Sequence, residues 1–130
     1  HFDAIEIHAN ELELVSVCDI DADLLATNHK KYDVPAYLQL NKMIEFEKLD
    51  LVVLCTPSGL HAKQAELAAK HGINVITEKP MATSWSDGLQ MVKACDDAGV
   101  KLFVVKQNRC NNWLRASWFI MCTTISKSWS

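Results

Sequence analysis

The chain has 130 residues, the length of one domain or a piece of one. Its 49% hydrophobic and 22% charged content are those of a soluble globular protein. A net charge of −3 and a pI near 5.9 leave no electrostatic footprint for nucleic acid or an acidic membrane surface, so neither is an expected partner. No apolar run approaches the roughly 18 residues of a membrane helix, and no signal peptide is visible.

In chain order, His1 to Asn10 reads as part of a helix, with Phe2, Ile5 and Ala9 at helical spacing. Leu12 to Cys18 follows as a strand ending on Asp19-Ile20-Asp21. A helix is expected from about Ala22 to Lys31, with Asp21 as its N-cap. Val34-Pro35-Ala36-Tyr37 is short and holds a proline, which fits an edge strand. Leu40 to Phe46 reads as a short helix. Leu51 to Cys55 is a continuous apolar run, as in a strand buried on both faces. The turn Thr56-Pro57-Ser58-Gly59 leads into a helix over Leu60 to Lys70, closed by Gly72 at the position after its cap. Ile73 to Thr77 is the next strand. Ser84 to Ala98 is amphipathic, with Leu89, Met91, Val92 and Cys95 as its apolar side, and Gly99 stops it. Leu102 to Val105 is the final clear strand, ending on Lys106-Gln107-Asn108-Arg109. Strands alternating with helices across short turns predict an α/β fold with a doubly wound parallel sheet.

The five cysteines form no C-x-x-C pair, and their spacing suits neither zinc nor a small disulfide framework, so no metal is expected. Cys18 and Cys55 end apolar strands and read as reduced core thiols, which favours a cytoplasmic protein. All 16 acidic residues lie at or before Asp97. The last 21 residues, Cys110 to Ser130, hold no acid and three of the four tryptophans. This tail is expected to be disordered or translated from a shifted frame. Trp113, Leu114, Trp118, Phe119 and Ile120 give only a partial helical stripe.

Three constellations stand at strand ends, where open α/β sheets bind ligands. A carboxylate at Asp19 can accept from two ribose hydroxyls and repels a 2′-phosphate, which favours NAD over NADP; alternatively it caps the next helix. Thr56, Pro57 and the helix start up to His61 offer a hydroxyl and backbone amides to a phosphate, ribose or carboxamide. The same residues also make an ordinary turn, and His61 by itself reads as a solvated surface histidine. Glu78-Lys79-Pro80 is the third. Pro80 stiffens the turn, and a lysine near a sugar hydroxyl can stabilise an alkoxide or help remove the proton, above all when buried; the alternative is a solvated loop lysine.

With C-D-I-D (18–21), C-T-P-S-G-L-H (55–61), T-E-K-P-M-A-T (77–83) and L-F-V-V-K-Q-N-R (102–109) in register, the chain resembles the glucose-fructose oxidoreductase / inositol dehydrogenase family. The likeness runs from His1 to about Arg109 and is closest to one bacterial branch, the UDP-N-acetylglucosaminuronate 3-dehydrogenases of surface polysaccharide biosynthesis. The resemblance implies a Rossmann-type NAD(P)-binding domain over 1–109, a non-family tail over 110–130, and hydride transfer from a sugar carbon to NAD. Lys79 matches the family's active-site lysine and would also meet substrate. Asp19 and Ile20 match the ribose end of the cofactor site, and Thr56, Pro57, His61 and Glu78 match positions near the cofactor. Gln107, Asn108 and Arg109 would face nicotinamide or substrate, though Arg109 could instead pair with a carboxylate. A nucleotide-sugar substrate and a homo-oligomeric parent are implied as well.

The glycine loop expected about 20 residues before Asp19 is not present, nor is the family's second domain. Strand order 3-2-1-4-5-6 would place the absent first strand at the centre, leaving Leu12–Cys18 and Leu51–Cys55 apart with open edges. A marginal or aggregating, inactive polypeptide is therefore expected. A non-catalytic nucleotide-binding module and a flavodoxin-like receiver, its acidic pocket mimicked by Asp19 and Asp21, remain open as alternatives.

Overall fold

In the computed structural model, which describes residues 2–105 and 119–125, the apolar runs become the strands of one six-stranded sheet. The elements are α1 (Phe2–Ile7), β1 (Leu12–Cys18), α2 (Ala22–Tyr32), β2 (Ala36–Tyr37), α3 (Leu40–Phe46), β3 (Leu51–Cys55), α4 (Ser58–Lys70), β4 (Asn74–Thr77), α5 (Trp85–Ala98), β5 (Leu102–Val104) and β6 (Phe119–Ile125). Their order across the sheet is β2-β1-β6-β3-β4-β5. β1 to β5 run parallel, as expected, and β2 is the edge strand its proline announced.

Alternation within the strands divides the core. On one face Val52, Leu54 and Val75 pack with Met43, Ile44, Ala62, Ala65, Ala68 and Met91 from α3, α4 and α5. On the other face Val17 and Val53 pack with Leu25 of α2, and Phe2 and Ile5 of α1 lie against them. Helices on both faces make the sheet doubly wound, the Rossmann-type architecture.

Local chemistry sets the helix ends. Asp21 caps α2, its side chain accepting from the Asp23 and Leu24 amides, and the Ser84 side chain accepts from the Asp87 amide at the start of α5. At the end of α4, Gly72 takes φ +73° while its amide donates to Ala69 and the Ile73 amide donates to Ala68. That pair of bonds is the Schellman ending, which needs the left-handed backbone glycine supplies.

Two expectations are corrected. Leu89 and Val92 are exposed, and α5 turns Gly88, Met91 and Cys95 inward instead. Gly88 makes this possible: a Cβ there would stand 3.2 Å from the Met81 Cε, so the missing side chain lets the helix settle onto the loop after Pro80. The second correction concerns the sheet centre. The edges of β1 and β3 are not open, because β6 lies between them, antiparallel to both. Two facing strand edges present rows of unpaired amides and carbonyls. The run Phe119-Ile-Met-Cys-Thr-Thr-Ile has strand-forming side chains and pairs Met121 with both Val17 and Val53. Phe119 to Ile125 thus form a strand where disorder was one expectation, and Trp113, Leu114 and Trp118 lie outside the described residues.

Candidate functional site

Three strand ends meet at the carboxyl edge of the sheet. The helices after β1 and β3 go to opposite faces, so the topological switch point of this sheet lies between those two strands. Asp19 leaves β1 there. It is only 4% exposed, and its amide donates to the Tyr37 carbonyl at 3.1 Å. Its Oδ1 accepts from the Asp21 amide at 2.9 Å, whereas Oδ2 is buried and has no hydrogen-bond partner among the described residues. A buried carboxylate oxygen without a donor is costly, and its natural complement is a hydroxyl or N–H brought by a ligand. Ile20, next in the chain, is 85% exposed and lays an apolar side chain on the rim. Asp21 faces away into the α2 cap, so the two acids do not form the paired pocket of a receiver.

The second and third constellations are joined by His61. This residue is 1% exposed, not the solvated histidine that its place in a first helical turn suggested. Its Nε2 lies 2.7 Å from the Thr56 carbonyl. Its Nδ1 lies 2.9 Å from the Thr77 hydroxyl and 3.1 Å from the Pro80 carbonyl. The Thr56 hydroxyl donates to the Gln64 side chain, one turn further along α4. Gln64 was not singled out from the sequence, and Thr77 only as the end of its strand and the start of T-E-K-P-M-A-T. The available signal was the inward row His61, Ala65, Ala68 at helical spacing, which places Gln64 beside the same face.

Pro57 precedes α4, and no side chain caps that helix start. A Cβ on Gly59 would meet nothing within 4 Å, so the backbone at the start of α4 borders open space. Glu78 is half-buried and its amide donates to the Leu54 carbonyl at 3.0 Å, carrying the ladder one residue past β4. Lys79 is exposed at the rim, joined to Pro80 by a cis peptide bond. Beyond it, Met81, Trp85, Leu89 and Val92 line a shallow apolar groove of about 450 Å³. Gln107, Asn108 and Arg109 lie outside the described residues.

The thiols beside the site are held protonated. Burial, with the Asp19 charge adding to it, pushes Cys18 up to about 12. Burial and then Glu78 push Cys55 up to about 12 as well. Neither is a nucleophile at neutral pH. Among the described residues no group of three or more His, Cys, Asp or Glu is placed to hold a metal ion, and no helix is long and apolar enough to cross a membrane.

Strand order alone does not separate the readings: without β6 the parallel strands run β2-β1-β3-β4-β5, the flavodoxin-like order. Comparison with known proteins does. The model of the oxidoreductase family described by an NAD-binding Rossmann fold matches residues 1–106. The WlbA dehydrogenase of Bordetella pertussis, solved in complex with NADH and UDP-GlcNAcA, is 48% identical with a TM-score of 0.81 over 84% of this chain and 32% of that one. The WlbA dehydrogenase of Chromobacterium violaceum, in complex with the same two ligands, is 49% identical with a TM-score of 0.81 over the same shares. D-apiose dehydrogenase of Paraburkholderia graminis is 36% identical over 93 residues, 71% of this chain and 25% of that protein. The chain thus spans about a third of the solved relatives and a quarter of the curated one.

Proposed function

The chain belongs to the oxidoreductase family with an NAD-binding Rossmann fold, and from that premise we propose that it is the cofactor-binding part of a sugar-nucleotide dehydrogenase. The substrate proposed is a UDP-N-acetylglucosaminuronate-like molecule, supported by the likeness to the two WlbA structures. The observation that carries the reading is Asp19, a buried carboxylate at the switch point with one oxygen unpaired. That oxygen suits the hydroxyls of an adenosine ribose, and its charge disfavours a 2′-phosphate, so NAD is the preferred cofactor. Ile20 offers the apolar surface beside it, and Thr56, Pro57 and Glu78 border the path towards Lys79.

When bound, NAD supplies the acceptor for a hydride leaving the sugar carbon. The Lys79 Nζ would hold the sugar hydroxyl and help to pass its proton to solvent as the hydride leaves the carbon. Gln107, Asn108 and Arg109 are proposed to face nicotinamide or substrate. Alone, the 130-residue chain, which has no G-x-G-x-x-G loop before Asp19, is proposed to give no turnover. The complete enzyme is proposed to be a cytoplasmic homo-oligomer acting in surface polysaccharide biosynthesis. A non-catalytic nucleotide-binding module is the alternative; β6 favours it by closing the sheet within this chain.

Titration of the purified chain with NADH, followed by calorimetry, tests the binding half; absence of saturable binding sinks it. In a full-length enzyme carrying this sequence, Lys79→Ala should abolish turnover of UDP-N-acetylglucosaminuronate by about 100-fold or more, the scale of a lost acid–base group, with NADH affinity unchanged. Retained turnover would move the chemistry to another residue.

A further inference from the structure

We propose that His61 is a positioning residue, clasping the turn that carries Lys79 to the turn after β3; the proposal rests on the dehydrogenase reading only for what Lys79 does. The ring is sealed from solvent and reaches the rim through the turns it touches. It bridges instead. A neutral ring protonated on Nε2 donates to the Thr56 carbonyl at 2.7 Å and accepts at Nδ1 from the Thr77 hydroxyl at 2.9 Å. The Pro80 carbonyl, 3.1 Å from Nδ1, is a further partner when that nitrogen carries a proton.

Thr77 and Pro80 flank Glu78 and Lys79, so the neutral ring holds the turn from the Thr77 side, and a ring protonated on Nδ1 as well can donate to the Pro80 side. Such a grip is needed at this place. β4 ends at Thr77, and among the described residues the ladder goes on through the Glu78 amide to Leu54 and the Val105 amide to Thr77. Lys79 and Pro80 are themselves exposed. An imidazole is rigid, so it fixes the separation of the two turns where a flexible side chain would not. α4 in turn holds the ring, because Ala62, Ala65, Ala68 and Ala69 bury the same helix against the sheet.

The test uses the full chain and amide hydrogen exchange, which reports local opening residue by residue. His61→Phe keeps the ring but removes both nitrogens. It should speed exchange at Glu78 and Val105, whose amides donate to Leu54 and Thr77, by about tenfold, the scale of one ordinary hydrogen bond, relative to core amides at Val52 and Val75. His61→Asn places an amide where Nδ1 stood and should restore most of the protection at those positions. Equal changes at the turn and the core, or no rescue by asparagine, would overturn the clasp. If His61→Phe does not fold, the ¹⁵N spectrum of the unaltered chain decides. A single Nε2–H tautomer, or a ring protonated on both nitrogens, supports it, and two nitrogens averaged as in free imidazole overturn it. Failure of the chain to bind NADH would defeat the dehydrogenase reading, while the exchange data would still judge the clasp.

Discussion

At the scale of single residues, Asp19 shows how one carboxylate divides its work. Oδ1 orders its own loop through the Asp21 amide, and Oδ2 waits for a donor. Asparagine can keep the first bond while removing the charge and half the acceptor capacity. Asp19→Asn should therefore weaken NADH binding by about tenfold or more, the scale of a hydrogen bond to a charged group, and narrow the preference over NADPH; calorimetry with both nucleotides measures it. Unchanged affinity for both would remove Asp19 from the cofactor site. The sequence placed Asp19 at a strand end and Asp21 on a helix start because both positions follow from local spacing, and the structure puts them there. His61 was legible as a helix-start residue but not as a buried one. Its burial depends on how α4 lies beneath the Pro80 turn, which no local pattern encodes.

At the scale of elements, the five parallel strands were readable because each is an apolar run bounded by Gly, Pro or a short polar turn. β6 was not. Its β1 partners lie about a hundred residues upstream, as in the pairing of Ile120 with Cys18, and its β3 partners more than sixty, as in the pairing of Phe119 with Cys55. Its central place gives it weight, since both of its edges are paired. Proline at Met121 would remove a ladder donor in a strand flanked on both sides, a change worth about 3 kcal/mol or more in a helix interior and unsuited to a central strand. Met121→Pro should thus lower the urea midpoint sharply or yield aggregate. The same substitution at Pro35's neighbour on the sheet edge, Ala36→Pro, should be milder. Equal midpoints for the wild type and Met121→Pro would show that β6 does not hold β1 to β3.

At the scale of the whole molecule, the packing that closes the sheet also sets a pH window for stability. Cys18 and Cys55, on either side of β6, are both pushed from an ordinary 9.0 up to about 12, chiefly by burial. Tyr37 moves from 10.0 to about 12, chiefly because its hydroxyl donates to Glu47. Each is an acid kept protonated by the fold. Below pH 9 both folded and unfolded states hold these protons, and the contribution is complete. Above it the unfolded chain releases thiol protons that the folded chain retains, so unfolding gains as pH rises, until the folded groups ionise near 12. Stability should fall steadily from pH 9 towards 12, read as a declining urea midpoint under reducing conditions. The double variant Cys18→Ala, Cys55→Ala should start from a lower midpoint, having lost buried volume, and decline less steeply. Parallel declines in the two proteins would mean that these thiols are not sealed by the sheet, and that the β1–β6–β3 centre opens to water before the rest of the fold.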